Sequence, residues 1–285
     1  MKFNVVIGNP PYNRDIFLEF IGIGHSKSDK YCVMITPAKW QSDAPDARTL
    51  GNITYGGFRE KYLKYISHVI FYPACRDIFD IYQTDGITIT LIDKNTHEKV
   101  IIQNICKDIQ VYNSTETREI GNRESLLNIG NEIINSLKPY KQFRFPLIYL
   151  NKKYRVFTNT KISGYDWFET KRPRFALGIS RIIDANDRLA LMQLSDYTKC
   201  TFESDNIQEC EAFVSWLNSR FVRFFLAVNM SKLTGIITDD CFRFVPALPE
   251  QYKYDHLYTD EELYSIYNLS EKYIEIIESL IRKRD

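Results

Sequence analysis

Three short apolar runs, each closed by proline, limit what this chain can fold into. Phe3-Asn4-Val5-Val6-Ile7-Gly8 runs into Asn9-Pro10-Pro11-Tyr12, Tyr31-Cys32-Val33-Met34-Ile35-Thr36 into Pro37, and His68-Val69-Ile70-Phe71-Tyr72 into Pro73. Runs of this length, rich in β-branched and aromatic residues, read as strands, the first of them buried. Proline fixes φ and supplies no N–H, so neither strand nor helix continues simply through it. Between the runs, Ile16 to Ile23 and Phe58 to Ile66 have apolar residues at helical spacing. Strands separated by helices predict an α/β sheet. Gly86 to Asp93 alternates and pairs, in this reading, with Lys99 to Gln103 through Lys94–Glu98, which ends the sheet on an antiparallel hairpin. The doubled proline makes the first strand end distinctive. It predicts a rigid, extended hook at the C-terminal edge of a strand, where open α/β sheets bind ligands. The hook carries a primary amide, a bare carbonyl and an aromatic ring, a set suited to a planar, amino-bearing ring.

Charge divides the chain more sharply than its net value of +1 suggests. Residues 1–137 hold 15 Lys+Arg and 16 Asp+Glu, residues 138–188 hold 12 and 4, and residues 189–285 hold 10 and 16. The middle block, at +8, is interleaved with Tyr and Phe and reads as the footprint of a polyanion. Its densest clusters are Lys152-Lys153-Tyr154-Arg155 and Lys171-Arg172-Pro173-Arg174-Phe175. Lys152, Lys153, Arg155, Lys171, Arg172 and Arg174 are therefore the candidate phosphate contacts, one or two arginines being able to read guanine edges. Tyr165, Trp167 and Phe168 read as core.

Other chemistries are excluded on spacing. The six cysteines form no CxxC pair and the four histidines are isolated, which predicts free thiols and no zinc site. Gly22 and Gly24 follow no strand and are followed by Lys27, so they are not a dinucleotide loop. Glu169-Thr170-Lys171 has the form of a nuclease motif, but no Asp lies in the 25 residues before Asp166 to complete it. No apolar run approaches the ~18 residues of a membrane span and no signal peptide precedes Phe3, so a cytoplasmic protein without a membrane partner is expected.

A polar helix over 115–137, then Lys138-Pro139, suggests a boundary, giving domains at 1–137, 138–250 and a helical segment at 251–285. Within the latter two, a long apolar helix is expected from Cys210 to Val228, a strand from Ile236 to Val245, and a helix from Glu261 to Arg284.

With these residues in place, a family resemblance emerges. Asn9-Pro10-Pro11-Tyr12 after a hydrophobic strand, Met34-Ile35-Thr36-Pro37-Ala38-Lys39-Trp40, and Asp85-Gly86-Ile87-Thr88-Ile89-Thr90-Leu91 resemble the adenine-specific amino-methyltransferases of DNA. The resemblance is to type IIG restriction–modification polypeptides and related modification subunits, over about residues 3–105, and more loosely over 138–250. It implies the distal half of a Rossmann-like methyltransferase sheet, followed by an α+β target recognition domain and a C-terminal helix. It also implies S-adenosylmethionine as cofactor and double-stranded DNA as partner. Asn9 and the Pro10 carbonyl would accept hydrogen bonds from the adenine amino group, localising its lone pair for attack on the methyl. Tyr12 would stack on the base, which must first leave the duplex, and Pro11 would stiffen the hook. Phe79 is a second candidate for stacking. Methyltransferases acting on RNA or on protein glutamine use the same tetrapeptide and stay open as alternatives, as does a non-catalytic DNA-binding or specificity module that has kept the hook as scaffold.

The family's cofactor loop, Phe-x-Gly-x-Gly, precedes the Asn-Pro-Pro-Tyr strand, or in permuted members falls late in the chain. This sequence has neither form: Gly121, Gly130, Gly164, Gly178 and Gly235 are all isolated. The expectation is a C-terminal portion of the enzyme, inactive alone, binding S-adenosylmethionine weakly or not at all. It would pair at its open sheet edge with the missing N-terminal half or a second copy.

Overall fold

The structure is a computed structural model, described over residues 1–42, 53–73, 75, 78–79, 86–107, 112–146, 152–159, 178–184, 201–229, 239–281 and 283. Two compact units divide between Glu132 and Ile133 for the bulk of the chain.

The first unit contains β1 (Phe3–Gly8), α1 (Phe17–Lys27), β2 (Ser28–Pro37), a single turn α2 (Lys39–Ser42) and α3 (Tyr55–Tyr62). Then come β3 (Ile66–Tyr72), β4 (Ile87–Ile92), β5 (Val100–Asn104) and β6 (Ser114–Arg118), while α4 (Asn128–Ser136) straddles the division. Thr54 starts α3 by accepting a hydrogen bond from the Gly57 N–H through its hydroxyl. The six strands form one sheet in the order β1-β2-β4-β3-β5-β6. β1 and β2 run parallel, as do β3 and β5, while β4 runs antiparallel to both β2 and β3. The result is a mixed α/β sheet compatible with part of a Rossmann-like fold.

Topology decides which face the helices take. β1–α1–β2 and β2–α3–β3 both step the same way across the sheet, and right-handed crossovers in one direction put their helices on one side. Contacts agree. A Cβ on Gly24 of α1 would fall 2.4 Å from Met34 Cε and 2.7 Å from Cys32 Sγ, so α1 presses directly onto β2. On that face, by strand alternation, Trp40 Nε1 donates to Thr88 Oγ1 at 3.0 Å, and the Thr36 and Thr88 hydroxyls meet at 3.2 Å. The buried hydroxyls and indole thus satisfy one another.

β1 departs from the buried strand that its composition predicts. It stands at the sheet edge, paired among the described residues with β2 alone, and Val5 and Ile7 are 45% and 72% exposed. Hydrophobicity records that a strand is made to be covered; it does not supply the neighbour. The predicted hairpin is also corrected: β4 inserts between β2 and β3, and β5 pairs with β3 and β6 instead. Alternation fixes a strand's faces, not its partners. The expected helix over 115–137 is a strand, β6, plus the shorter α4. Ser114–Arg118 alternates between half-buried and exposed positions, a strand period hidden by polar composition.

The second unit has a three-stranded antiparallel sheet in which β7 (Tyr154–Asn159) lies between β8 (Gly178–Asp184) and β9 (Thr201–Ser204). Among the described residues four helices accompany it: α5 (Ile207–Asn218), α6 (Arg220–Asn229), α7 (Asp260–Ile266) and α8 (Glu271–Leu280). Its core is aromatic, with Phe213 stacked on Phe202 at 4.4 Å and Phe221 on Tyr267 at 4.5 Å. The single helix predicted from Cys210 to Val228 is two, broken at Ser219 (ψ 151°), whose hydroxyl accepts from the Val222 N–H and restarts the helix. The C-terminal helix is likewise interrupted, with Asn268 at φ +50°. Where Ile236–Val245 reads as a strand, Asp239–Phe242 is a 3-10 turn, and residues 236–238 lie outside the described set.

Candidate active-site hook and basic surface

β1 ends at Gly8 opposite Met34 of β2, and the chain leaves the sheet through Asn9-Pro10-Pro11-Tyr12. Pro10 is buried, Asn9 and Pro11 are exposed, and Tyr12 is half-buried. The two prolines keep this stretch from pairing, and Tyr12 begins a 3-10 turn over Asn13–Asp15. The amide and the ring predicted from sequence therefore meet at the surface. They also touch: the Tyr12 hydroxyl donates to Asn9 Oδ1 at 2.9 Å. One lone pair of the amide oxygen is thus engaged, and the other remains in principle an acceptor.

Burial first, and the nearby Cys75 thiol second, push the Tyr12 hydroxyl up to about 12. At neutral pH it is a donor, never an anion, and the hook has no general base in its first four residues. Phe79, the second stacking candidate, is half-buried, and its N–H donates to the Cys75 carbonyl at 2.9 Å. Cys75 is thus a common neighbour of Tyr12 and Phe79.

Two further residues, with no site role in the sequence reading, fix the hook's far end. Asp15 adopts φ +62° and pairs with Lys39 at 2.9 Å, both side chains being more than four-fifths buried. Lys39 follows β2 directly, and the neighbouring Ala38 N–H donates to the Gly86 carbonyl at 3.1 Å. A pair 24 residues apart leaves no periodic signal in sequence.

The basic candidates of the second unit divide. Lys152 is on the surface, its ammonium 2.7 Å from Asp205, and Lys153 lies over the Tyr154 ring. Arg155 is turned inward: its Nε sits 2.9 Å from Glu203, with both side chains almost fully buried. Its charge is matched inside the protein, so a phosphate contact from Arg155 requires breaking that pair. Strand alternation holds the signal, since Tyr154 and Arg155 must face opposite ways. Lys171, Arg172 and Arg174, together with Tyr165, Trp167, Phe168 and the Glu169-Thr170-Lys171 motif, lie outside the described residues.

Neither a family model nor a curated protein matches the sequence. Among solved structures, this chain is similar to one from work described as the structural basis underlying complex assembly and conformational transition of the type I R-M system. The match has 15% identity and a TM-score of 0.28, and covers 37% of this chain. This chain spans about a quarter of that one's length, the match covering 24% of it. Among the described residues, no cluster of His, Cys, Asp or Glu could hold a metal ion, and no helix is long and apolar enough to cross a membrane.

Proposed function

We propose that this chain is the base-holding portion of an adenine-specific DNA amino-methyltransferase of a restriction–modification system, joined to a DNA-contacting unit. The observation that carries the reading is the position of Asn9-Pro10-Pro11-Tyr12: a proline-stiffened amide and ring at the C-terminal end of a parallel edge strand. In an open α/β sheet that end is the ligand end. Asn9 Oδ1 and the Pro10 carbonyl would accept the two amino hydrogens of an extruded adenine, and the Tyr12 ring would cover its face. The nucleophile is the amino nitrogen itself, so the chain's residues orient it and need not deprotonate it first.

S-adenosylmethionine would supply the methyl group. The described residues contain the base hook but not the glycine-rich loop that would hold this donor, and the mechanism of this chain stops at the base. Among the described residues β1 has no neighbour beyond it, which supports a partner there. Parallel strands are ordinarily covered on both faces, and the described helices of this unit cover one. A partner that extends the sheet past β1 and winds back across Val5 and Ile7 would cover the second face and bring the donor alongside Asn9. The N-terminal half of such an enzyme fits that requirement. A second copy related by a two-fold axis perpendicular to the sheet would leave the same face bare.

The closed contact between Tyr12 and Asn9 favours one other reading: a non-catalytic specificity module in which the hook survives as a surface turn. Binding of 9-methyladenine separates the two, since only a base-holding hook takes it up, whereas duplex DNA binding is expected of both. On the methyltransferase reading, duplex DNA binds with an affinity that falls steeply with salt, and Arg172→Ala or Arg174→Ala each removes about one unit of the log–log slope. The isolated chain takes up S-adenosylmethionine weakly or not at all in calorimetry. A flat salt response refutes the basic block as the docking face, and micromolar cofactor binding refutes the division of the site.

A further inference from the structure

We infer that Asp15 and Lys39 are positioning residues for the hook, setting the height and orientation at which Asn9 and Tyr12 meet a base. The inference rests on the base-holding role proposed above and adds residues to it.

The hook is a chain segment with two ends. Its N-terminal end is fixed by pairing of Gly8 with Met34 in β2. Beyond Pro11 the chain makes a single 3-10 turn without a side-chain cap before α1 begins at the buried Phe17. The second tie is the Asp15–Lys39 ion pair, whose carboxylate and ammonium are 18% and 17% exposed. Lys39 stands just beyond the C-terminal end of β2, the strand that holds Gly8. The hook is therefore tied on one side to β2 by backbone pairing at Gly8 and, three residues past Tyr12, to the turn that follows β2 by charge.

Backbone strain indicates that the second anchor is specified. Asp15 occupies the left-handed region at φ +62°. A non-glycine residue there is uncommon, although Asp and Asn tolerate it better than others, and it persists where its surroundings hold it. The partly desolvated ammonium of Lys39 does so, because an ion pair sheltered from water is screened less than an exposed one. Lys39 is in turn placed by the Pro37 strand stop and by the Ala38–Gly86 backbone bond. Neither charged group has to touch the base; their effect passes through the angle at which the hook leaves the sheet.

The test uses the full chain and 9-methyladenine as probe, titrated by NMR with the Asn9 side-chain amide as reporter. Asp15→Asn keeps a residue that accepts left-handed φ while removing the charge, and Lys39→Met removes the ammonium with little change of length. Each is expected to weaken 9-methyladenine binding about three- to tenfold, and the double variant no more than either single one. Lys39→Arg is expected to restore most of the affinity. Thermal unfolding of the same variants provides the contrast: a lower midpoint with unchanged 9-methyladenine affinity overturns the positioning role and leaves only a structural pair. Additive losses in the double variant overturn it too. If the wild-type chain does not bind 9-methyladenine, the base-holding reading falls, and the positioning role with it.

Discussion

Replacing Tyr12 with phenylalanine separates the two things its side chain does. The ring offers a stacking face, worth roughly 1–3 kcal/mol per base. The hydroxyl donates at 2.9 Å to Asn9 Oδ1, the atom that the proposed chemistry assigns to the adenine amino group. An intramolecular hydrogen bond contributes about 0.5–1.5 kcal/mol net, so a base that displaces the hydroxyl forgoes that amount. Tyr12→Phe removes the competitor and keeps the ring. Affinity for 9-methyladenine should then rise about two- to tenfold, 1.4 kcal/mol being one decade. Tyr12→Ala should lower it about five- to 150-fold through lost stacking. Calorimetry or NMR titration reads both. Weaker binding by the phenylalanine variant refutes the competition: the hydroxyl would then be holding the amide in its working orientation, with the base using the second lone pair.

Two further outcomes test the rest of the structure. Glu203→Gln strands the buried Arg155 guanidinium and should cost the second unit about 3–5 kcal/mol in urea unfolding, most of it recovered when Arg155→Met is added; equal stability of the single variant and wild type refutes the inward pair. Burial, the largest cause in each case, pushes the hydroxyls of Tyr12 and Tyr258 up to about 12 and raises those of Tyr254, Tyr264 and Tyr267. In the unfolded chain they ionise near ~10, so the unfolded state loses protons first as pH rises. The thermal midpoint should therefore be insensitive to these groups below about pH 9 and fall above ~10, and a rise in that range refutes their burial.

The sequence made some of this legible and hid the rest for identifiable reasons. Strand positions in the first unit were readable because proline ends each of three runs, and the hook because two prolines in succession fit few structures. Strand neighbours were not readable: the alternation of Gly86–Asp93 matches equally a hairpin with Lys99–Gln103 and its observed place between β2 and β3. Helix breaks at Ser219 and near Asn268 escaped because both halves bury apolar residues, so the periodic signal runs across the interruption. The basic cluster at Lys152–Arg155 was visible as charge, yet only strand alternation and the distant Glu203 separate an outward lysine from an inward arginine. The Asp15–Lys39 pair was invisible, since neither spacing nor composition marks it.

The insertion of β4 has a consequence for how the site comes into being during synthesis. β2 and β3 leave the ribosome before the strand that must lie between them, and Thr36 meets Thr88, which lies 52 positions further along the chain. Until then β2 lacks one neighbour, and Ala38 lacks the Gly86 carbonyl that secures the turn bearing Lys39. The hook is translated before β4, and one of its supports arrives only with residues made much later. A nascent chain stopped before β4 would carry the complete tetrapeptide and an unfinished site.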